Sequence, residues 1–271
     1  MQVRRHRRLF VILGVVAFVL VGGGVTLWVL WHRSSARPVT RAEAIRRFHP
    51  LQGGNGGPAR PAQGVYAYRG TGREALSVPP KSQAQGPTIP ATVTWRADGC
   101  WVFRVDYSTN HWQTWNYCPR AEGLVELGGQ TFQHWDLVFT QVRSTSTFTC
   151  DPPSVAIRPV MRAGDEWQQS CSGSSTGTKG TVTSQGPYRF VGEETMTIGS
   201  QPVRAFRFHQ SRTLTGAQQG TQTADLWFRA SDGLPLCNVR EATVRTDSVV
   251  GTVTYTEQGT FEIADLTPTG A

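Results

Sequence analysis

Residues 100–118 read CWVFRVDYSTNHWQTWNYC, two alternating runs on either side of Ser108-Thr109-Asn110. Centring a hairpin on Thr109 sets Cys100 opposite Cys118, Trp101 opposite Tyr117 and Phe103 opposite Trp115, so one face is aromatic and packs. Directly opposed strand residues lie about 4.5–5.5 Å apart at Cα, within reach of a disulfide, so register and bridge agree. The loop is expected to be three residues long and to close on Asn110, a residue that tolerates the left-handed conformation. On the other face Arg104 meets Thr114 and Asp106 meets Trp112. Trp112 is the candidate ligand-binding side chain of the hairpin, unless a neighbouring loop covers it.

The same two-residue period continues outward from this hairpin. Strands are expected at 65–76, 92–96, 100–107, 111–118, 188–198, 203–214, 221–229, 234–246 and 252–263, with turn residues such as Gly199-Ser200 and Ser231-Asp232-Gly233 between them. In the last strand Val253, Tyr255, Phe261 and Ile263 share one face, while Thr252, Thr254, Thr256, Thr260 and Glu262 share the other. One side packs and the other is wet. The fold class is all-β: a long antiparallel meander forming a strongly curved sheet or half-barrel, with a β-sandwich as the alternative. Gly64–Gly70 and Gly186–Gly192 both fit G-x-Y-x-aromatic-x-G. As a repeat, the pattern would mark two β halves joined by the proline-rich stretch between Cys150 and Cys171.

Cys150 and Cys171 are expected to pair, closing an irregular segment that contains Pro152, Pro153 and Pro159. A loop of about 20 residues closed in this way gains on the order of 3 kcal/mol in the chain-entropy model. Cys237 is left as an unpaired, buried thiol. Five cysteines without metal spacing favour an oxidising compartment.

Before the β region lies an uncharged run of 23 residues, Leu9 to Trp31, long enough to cross a hydrocarbon core of about 30 Å. Ser34-Ser35-Ala36 has signal-peptidase spacing, but the run exceeds the apolar length of a cleaved signal. The chain therefore divides into a cytoplasmic basic flank (1–8), a single-pass transmembrane helix (9–31), a juxtamembrane helix and Gly/Pro linker (32–63) and an extracytoplasmic β domain (64–271). Thr40-Arg41-Ala42-Glu43 is a helix capping box, and Ala42, Ile45 and Phe48 mark the expected apolar face.

The net charge of +8 sits entirely in residues 1–47, which hold nine Arg and one Glu; residues 48–271 hold 18 basic and 18 acidic side chains. That distribution argues against a nucleic-acid partner and assigns the flanking arginines to membrane lipids. Gly173-Ser174-Ser175-Thr176-Gly177 matches the hydrolase G-x-S-x-G, but it lacks the strand before and helix after and is expected to be a flexible loop. His111, His134 and His209 are too scattered for a metal site. The sequence suggests no metal, cofactor or catalytic residue.

From Pro152-Pro153 through Gly164-Asp165-Glu166-Trp167, Tyr188–Glu194 and Trp227 to Asp232–Leu236, the chain resembles the curved half-barrel group of bacterial envelope proteins. That group includes periplasmic lipoprotein carriers and actinobacterial lipid-binding lipoproteins. As a whole the chain is similar to uncharacterised single-pass membrane proteins of actinobacteria. The resemblance implies non-catalytic binding of an apolar envelope component or a partner protein at the cell membrane. The chain departs from the group in having neither an amphipathic helix for the sheet's concavity nor a lipid-anchor cysteine. One alternative is a glycan-directed envelope enzyme using Glu126, Asp136 or Glu194. Another is a structural subunit of an envelope complex, suggested by Gly22-Gly23-Gly24 in the anchor.

Overall fold

A computed structural model describes residues 35–51, 60–137, 140–248 and 251–270. The expected basic flank, the transmembrane helix and residues 52–59 of the linker lie outside the described residues. One short helix, α1 (Arg41–Arg47), precedes thirteen strands: β1 (Gly64–Leu76), β2 (Lys81–Gln85), β3 (Thr88–Trp95), β4 (Trp101–Ser108), β5 (His111–Arg120), β6 (Gly123–Leu137), β7 (Thr140–Ile157), β8 (Glu166–Ser175), β9 (Thr178–Ile198), β10 (Gln201–Gly216), β11 (Gln219–Arg229), β12 (Pro235–Ser248) and β13 (Gly251–Ile263).

The strands form one antiparallel meander, and β13 pairs back onto β1 from Tyr68↔Ile263 to Leu76↔Tyr255. The sheet is therefore a closed barrel rather than a curved sheet or half-barrel, and with a single sheet the sandwich alternative does not arise. Closure removes the two exposed edges that an open meander of this length would present. β2 and β3 pair with successive parts of the same edge of β1, at Gly72–Leu76 and Gly64–Arg69, so they form one interrupted stave of a twelve-stranded wall.

The β4–β5 register is the one the sequence implies: Trp101↔Tyr117, Phe103↔Trp115, Arg104↔Thr114 and Asp106↔Trp112. Its turn differs. An irregularity between Asp106 and Ser108 brings Ser108 opposite His111, leaving only Thr109-Asn110 to turn the chain. Among the described residues no non-glycine residue has positive φ, so Asn110 is not left-handed.

Four strands, β2, β6, β7 and β8, were not apparent from periodicity. The Cys150–Cys171 segment is strand on both sides of a connection at 158–165, not an irregular loop, and Gly173–Ser175 is the end of β8. Pro152 and Pro153 explain part of the deception, because neither offers a ladder N–H. There the β7–β8 ladder stops at Thr149↔Ser172, and side chains bridge the seam below it. Trp167 Nε1 and Gln169 Nε2 each donate to the Val155 carbonyl at 2.7 Å.

Both G-x-Y-x-aromatic-x-G segments point their aromatic pairs, Tyr66 with Tyr68 and Tyr188 with Phe190, into the core. Their glycines allow close strand approach: a Cβ on Gly70 would meet the Thr260 carbonyl oxygen at 2.0 Å, and one on Gly186 the Ser211 carbonyl oxygen at 2.1 Å.

The capping box of α1 is formed as the sequence implies, with Thr40 accepting from the Glu43 backbone N–H and Glu43 accepting from that of Thr40. The buried face, however, is Ala44 and Phe48 packed on Val65; Ala42 and Ile45 face outward. The helix lies against the outside of the barrel wall over β1 and β3.

Candidate functional site: the barrel lumen

Inward residues change character along the barrel. The end that carries the connections 96–100, 121–122, 158–165, 199–200 and 230–234 is plugged by Tyr66, Trp101, Phe103, Tyr188, Phe190, Phe208, Phe228, Leu236 and Ile263. Phe208 is the hub of this plug, with ring centroids 4.9 Å from Tyr188, 5.3 Å from Phe190 and 5.9 Å from Phe228. Toward the other end the wall turns inward smaller or polar residues, Thr131, Ser144, Ser146, Ser184 and Ala242 among them. There the barrel encloses a cavity of about 810 Å³ that reaches Val78, Leu137, Gly177, Gln218 and Ser248 at that end.

Two ionic groups lie where plug and cavity meet. On one wall Arg212 on β10 faces Glu126 on β6 at 3.7 Å. Its guanidinium also donates to Gln169 Oε1 at 2.9 Å and lies 3.6 Å from Cys171 Sγ. Burial pushes the Glu126 carboxyl above its usual range, and the Arg212 charge only partly offsets this. On the opposite wall Arg240 on β12 donates to Tyr107 Oη and Gln113 Oε1, each at 2.8 Å, and pairs with Glu257 on β13. Its guanidinium carbon lies 4.2 Å from the Tyr107 ring centroid. Burial works to raise the Glu257 carboxyl as well. Here the charges of Arg240 and His111, with hydrogen bonds from Gln85 and Arg240, outweigh it and hold the group below the ordinary carboxylate range.

Behind Glu257, His111 Nδ1 lies 3.1 Å from Glu74 and 3.6 Å from Glu257. Glu74, His111 and Glu257 together have the spacing of a metal-ligand set, a grouping that the separate sequence positions did not suggest. The donor chemistry fits a cation poorly. Gln85 Nε2 and the Arg240 guanidinium direct N–H groups at the Glu257 oxygen that a metal would need. The cluster is a hydrogen-bonded network of opposed charges. The other set with that spacing, Glu126 with Cys150 and Cys171, contains two sulfurs already joined to each other.

The expected cysteine pairs lie at disulfide distance, Cys100 with Cys118 at 2.05 Å and Cys150 with Cys171 at 2.02 Å. Cys237 is unpaired and half-buried, and it sits opposite Glu262 in the β12–β13 ladder, out of step with the inward residues Leu236, Asn238 and Arg240. Burial, followed by the nearby Glu262 charge, pushes its thiol up to about 12, so it stays protonated and a poor nucleophile. Trp112 sits on the outer wall, away from the lumen, stacked on Phe132 at 5.6 Å with the Arg104 guanidinium 4.1 Å from its ring centroid.

The three carboxylates singled out for the glycan reading do not converge. Glu126 is in the lumen, Asp136 is paired with His134 at 3.2 Å near the rim, and Glu194 accepts from the Trp227 indole at the opposite end. The site residues missed in sequence were detectable by phase. Arg212 alternates in step with Phe208 and Leu214, Arg240 with Leu236 and Val244, and Glu257 with Tyr255 and Phe261. A charge in step with core residues is a charge pointing inward.

No family model matches the chain, and no curated protein matches it. Among solved structures, the chain is similar to the hypothetical lipoprotein YmcC from Escherichia coli (K12). That likeness has a TM-score of 0.31 and 13% identity over 82% of this chain and 96% of that one. At that TM-score it carries no argument.

Proposed function

We propose that this chain is a membrane-anchored, extracytoplasmic barrel that holds an apolar envelope component in its lumen without catalysis. The observation that carries the reading is the lumen itself. About 810 Å³ is within the range of small-molecule sites. Its upper wall is lined by Leu137, Val142, Phe148, Leu214, Val244 and Val253, and its floor by the two ionic groups. Such a wall suits a hydrocarbon portion, while the floor offers hydrogen bonds to a polar end. Two cysteine pairs at disulfide distance support an oxidising compartment, and the uncharged run before residue 32 supports anchoring, with the flanking arginines on lipid headgroups.

The test uses the full chain held in a polymer belt and a dansylated fatty acid, read by energy transfer from the lumen tryptophans Trp115 and Trp135. Saturable transfer is expected in the native chain. It is expected to fall at least tenfold in Ala242→Trp, which fills the lumen while leaving the plug untouched. Non-saturable transfer in the native chain, or equal transfer in both proteins, overturns the reading.

A further inference from the structure

The turns at the two ends of the barrel differ in charge. At the plugged end the connections carry Arg96, Asp98, Glu122, Arg158, Arg162, Asp165 and Asp232. Among the described residues the mouth connections are 77–80, 109–110, 176–177 and 217–218, and none of them contains a charged residue. Surface turns are ordinarily the most polar part of a β protein, so an end whose four described connections are all uncharged is unusual for a surface that meets water. Its rim also presents Val78 and Val142, 42% and 40% exposed, beside Leu137, Pro79 and Val253.

The chain enters the barrel at this same end. Ser35, the first described residue, donates to the Asp136 carboxylate and accepts from Asn110 Nδ2 at 3.1 Å. Two residues on, the Thr109 N–H donates to the Arg37 carbonyl at 2.8 Å, and the Arg37 N–H donates to Thr109 Oγ1 at 3.2 Å. Thr109 and Asn110 form the mouth-end turn of β4–β5, and Asp136 adjoins Leu137 at the mouth end of β6. The uncharged run closes at Trp31, four residues before Ser35, a reach of at most about 14 Å. A bilayer's headgroup layer is about 5–8 Å thick on each side. A chain leaving the hydrocarbon at Trp31 therefore brings the mouth, and not the plugged end, to the headgroups.

We propose that the mouth of the barrel rests on the phospholipid bilayer, with Val78, Leu137, Val142 and Val253 toward the acyl chains, so that the lumen opens onto the membrane rather than onto water. Exposed Arg143, Lys179 and Arg245 flank the rim at headgroup level, where basic side chains meet lipid phosphates. A ligand then enters directly from the adjacent leaflet and need not cross water. That consequence rests on the lumen reading; the membrane contact is independent of it.

The experiment places an environment-sensitive fluorophore on Val142→Cys or on Asp98→Cys, each in the full chain with Cys237→Ala. The protein is reconstituted into vesicles of phosphatidylethanolamine and phosphatidylglycerol with brominated acyl chains. Bromine is expected to quench the label at 142 more than twofold and to leave the label at 98 unchanged. Adding Val78→Asp is expected to reduce the quenching at 142. Equal quenching at both sites, or none at 142, overturns the proposal. Dansyl fatty acid uptake measured on the same vesicles separates the two readings. Quenching at 142 without uptake supports the membrane contact and removes the lumen ligand, whereas uptake without quenching overturns the membrane contact alone.

Discussion

At the plugged end of the barrel the strands turn Phe103, Tyr188, Phe208, Phe228 and Leu236 inward; at the mouth the wall turns in Ser144, Ser184, Ala242, Val244 and Thr246. A single strand shows the gradient, since β12 runs inward from Leu236 through Asn238 and Arg240 to Ala242 and Val244. The backbone geometry is continuous from end to end, so the volume of the inward side chains decides whether a section is solid or hollow. Stability accordingly concentrates at one end and space at the other, and the ionic groups mark the boundary.

The largest expected effect breaks the plugged end. Phe208 is fully buried among four aromatic rings, those of Trp167, Tyr188, Phe190 and Phe228, and Phe208→Ala is expected to cost about 3–5 kcal/mol, read as a shift in the guanidinium unfolding midpoint. A loss below about 1 kcal/mol would mean that the plug does not carry the fold.

At the boundary, Glu257→Gln leaves the Arg240 cation buried without its carboxylate and is expected to cost about 3 kcal/mol at neutral pH. Glu126→Gln is expected to cost far less, because burial already disfavours that carboxylate. The two acids also have opposite pH signatures. The folded pKa of Glu257 is lowered, so its contribution is present above the unfolded value and disappears as pH falls through the folded one. The folded pKa of Glu126 is raised, so its contribution is present below the unfolded value and disappears as pH rises through the folded one. Unfolding midpoints across about pH 3–8 check both signs. Each Gln variant is expected to remove its own slope, and identical profiles for the two variants would contradict the assignment.

The smallest effect is expected at the mouth. Val244 is half-buried on a wall with empty space before it, so Val244→Ala is expected to cost under about 1 kcal/mol while weakening dansyl fatty acid uptake. A loss as large as that of Phe208→Ala would show the mouth to be packed after all.

The strands legible in sequence are those whose inner face belongs to the plug. β4, β5, β10, β11, β12 and β13 alternate large apolar with polar side chains, and the period identifies them. β6 and β7 escape the pattern because their inner faces line a cavity: Ser144 and Ser146 alternate with residues just as polar, and in β6 Thr131 and Gln133 point inward while the apolar Phe132 between them points out. Gly128 and Gly129 in β6 add to the concealment, where the chain passes so close to its neighbours that a Cβ on Gly129 would meet the Thr114 carbonyl oxygen at 1.9 Å. The lumen hid its own walls from a pattern that detects only burial.

The sequence by itself determined the all-β class, the register of the first hairpin, the partners of four cysteines, the capped helix and the confinement of the net positive charge to the first 47 residues. Each of these depends on neighbours along the chain or across one turn, where spacing alone sets geometry. Only the tertiary structure decided that β13 meets β1, that Arg212 faces Glu126 and Arg240 faces Glu257, and that the described turns at the end where the chain enters are all uncharged. These depend on how twist and tilt accumulate around a closed wall, and no local stretch of sequence contains that sum.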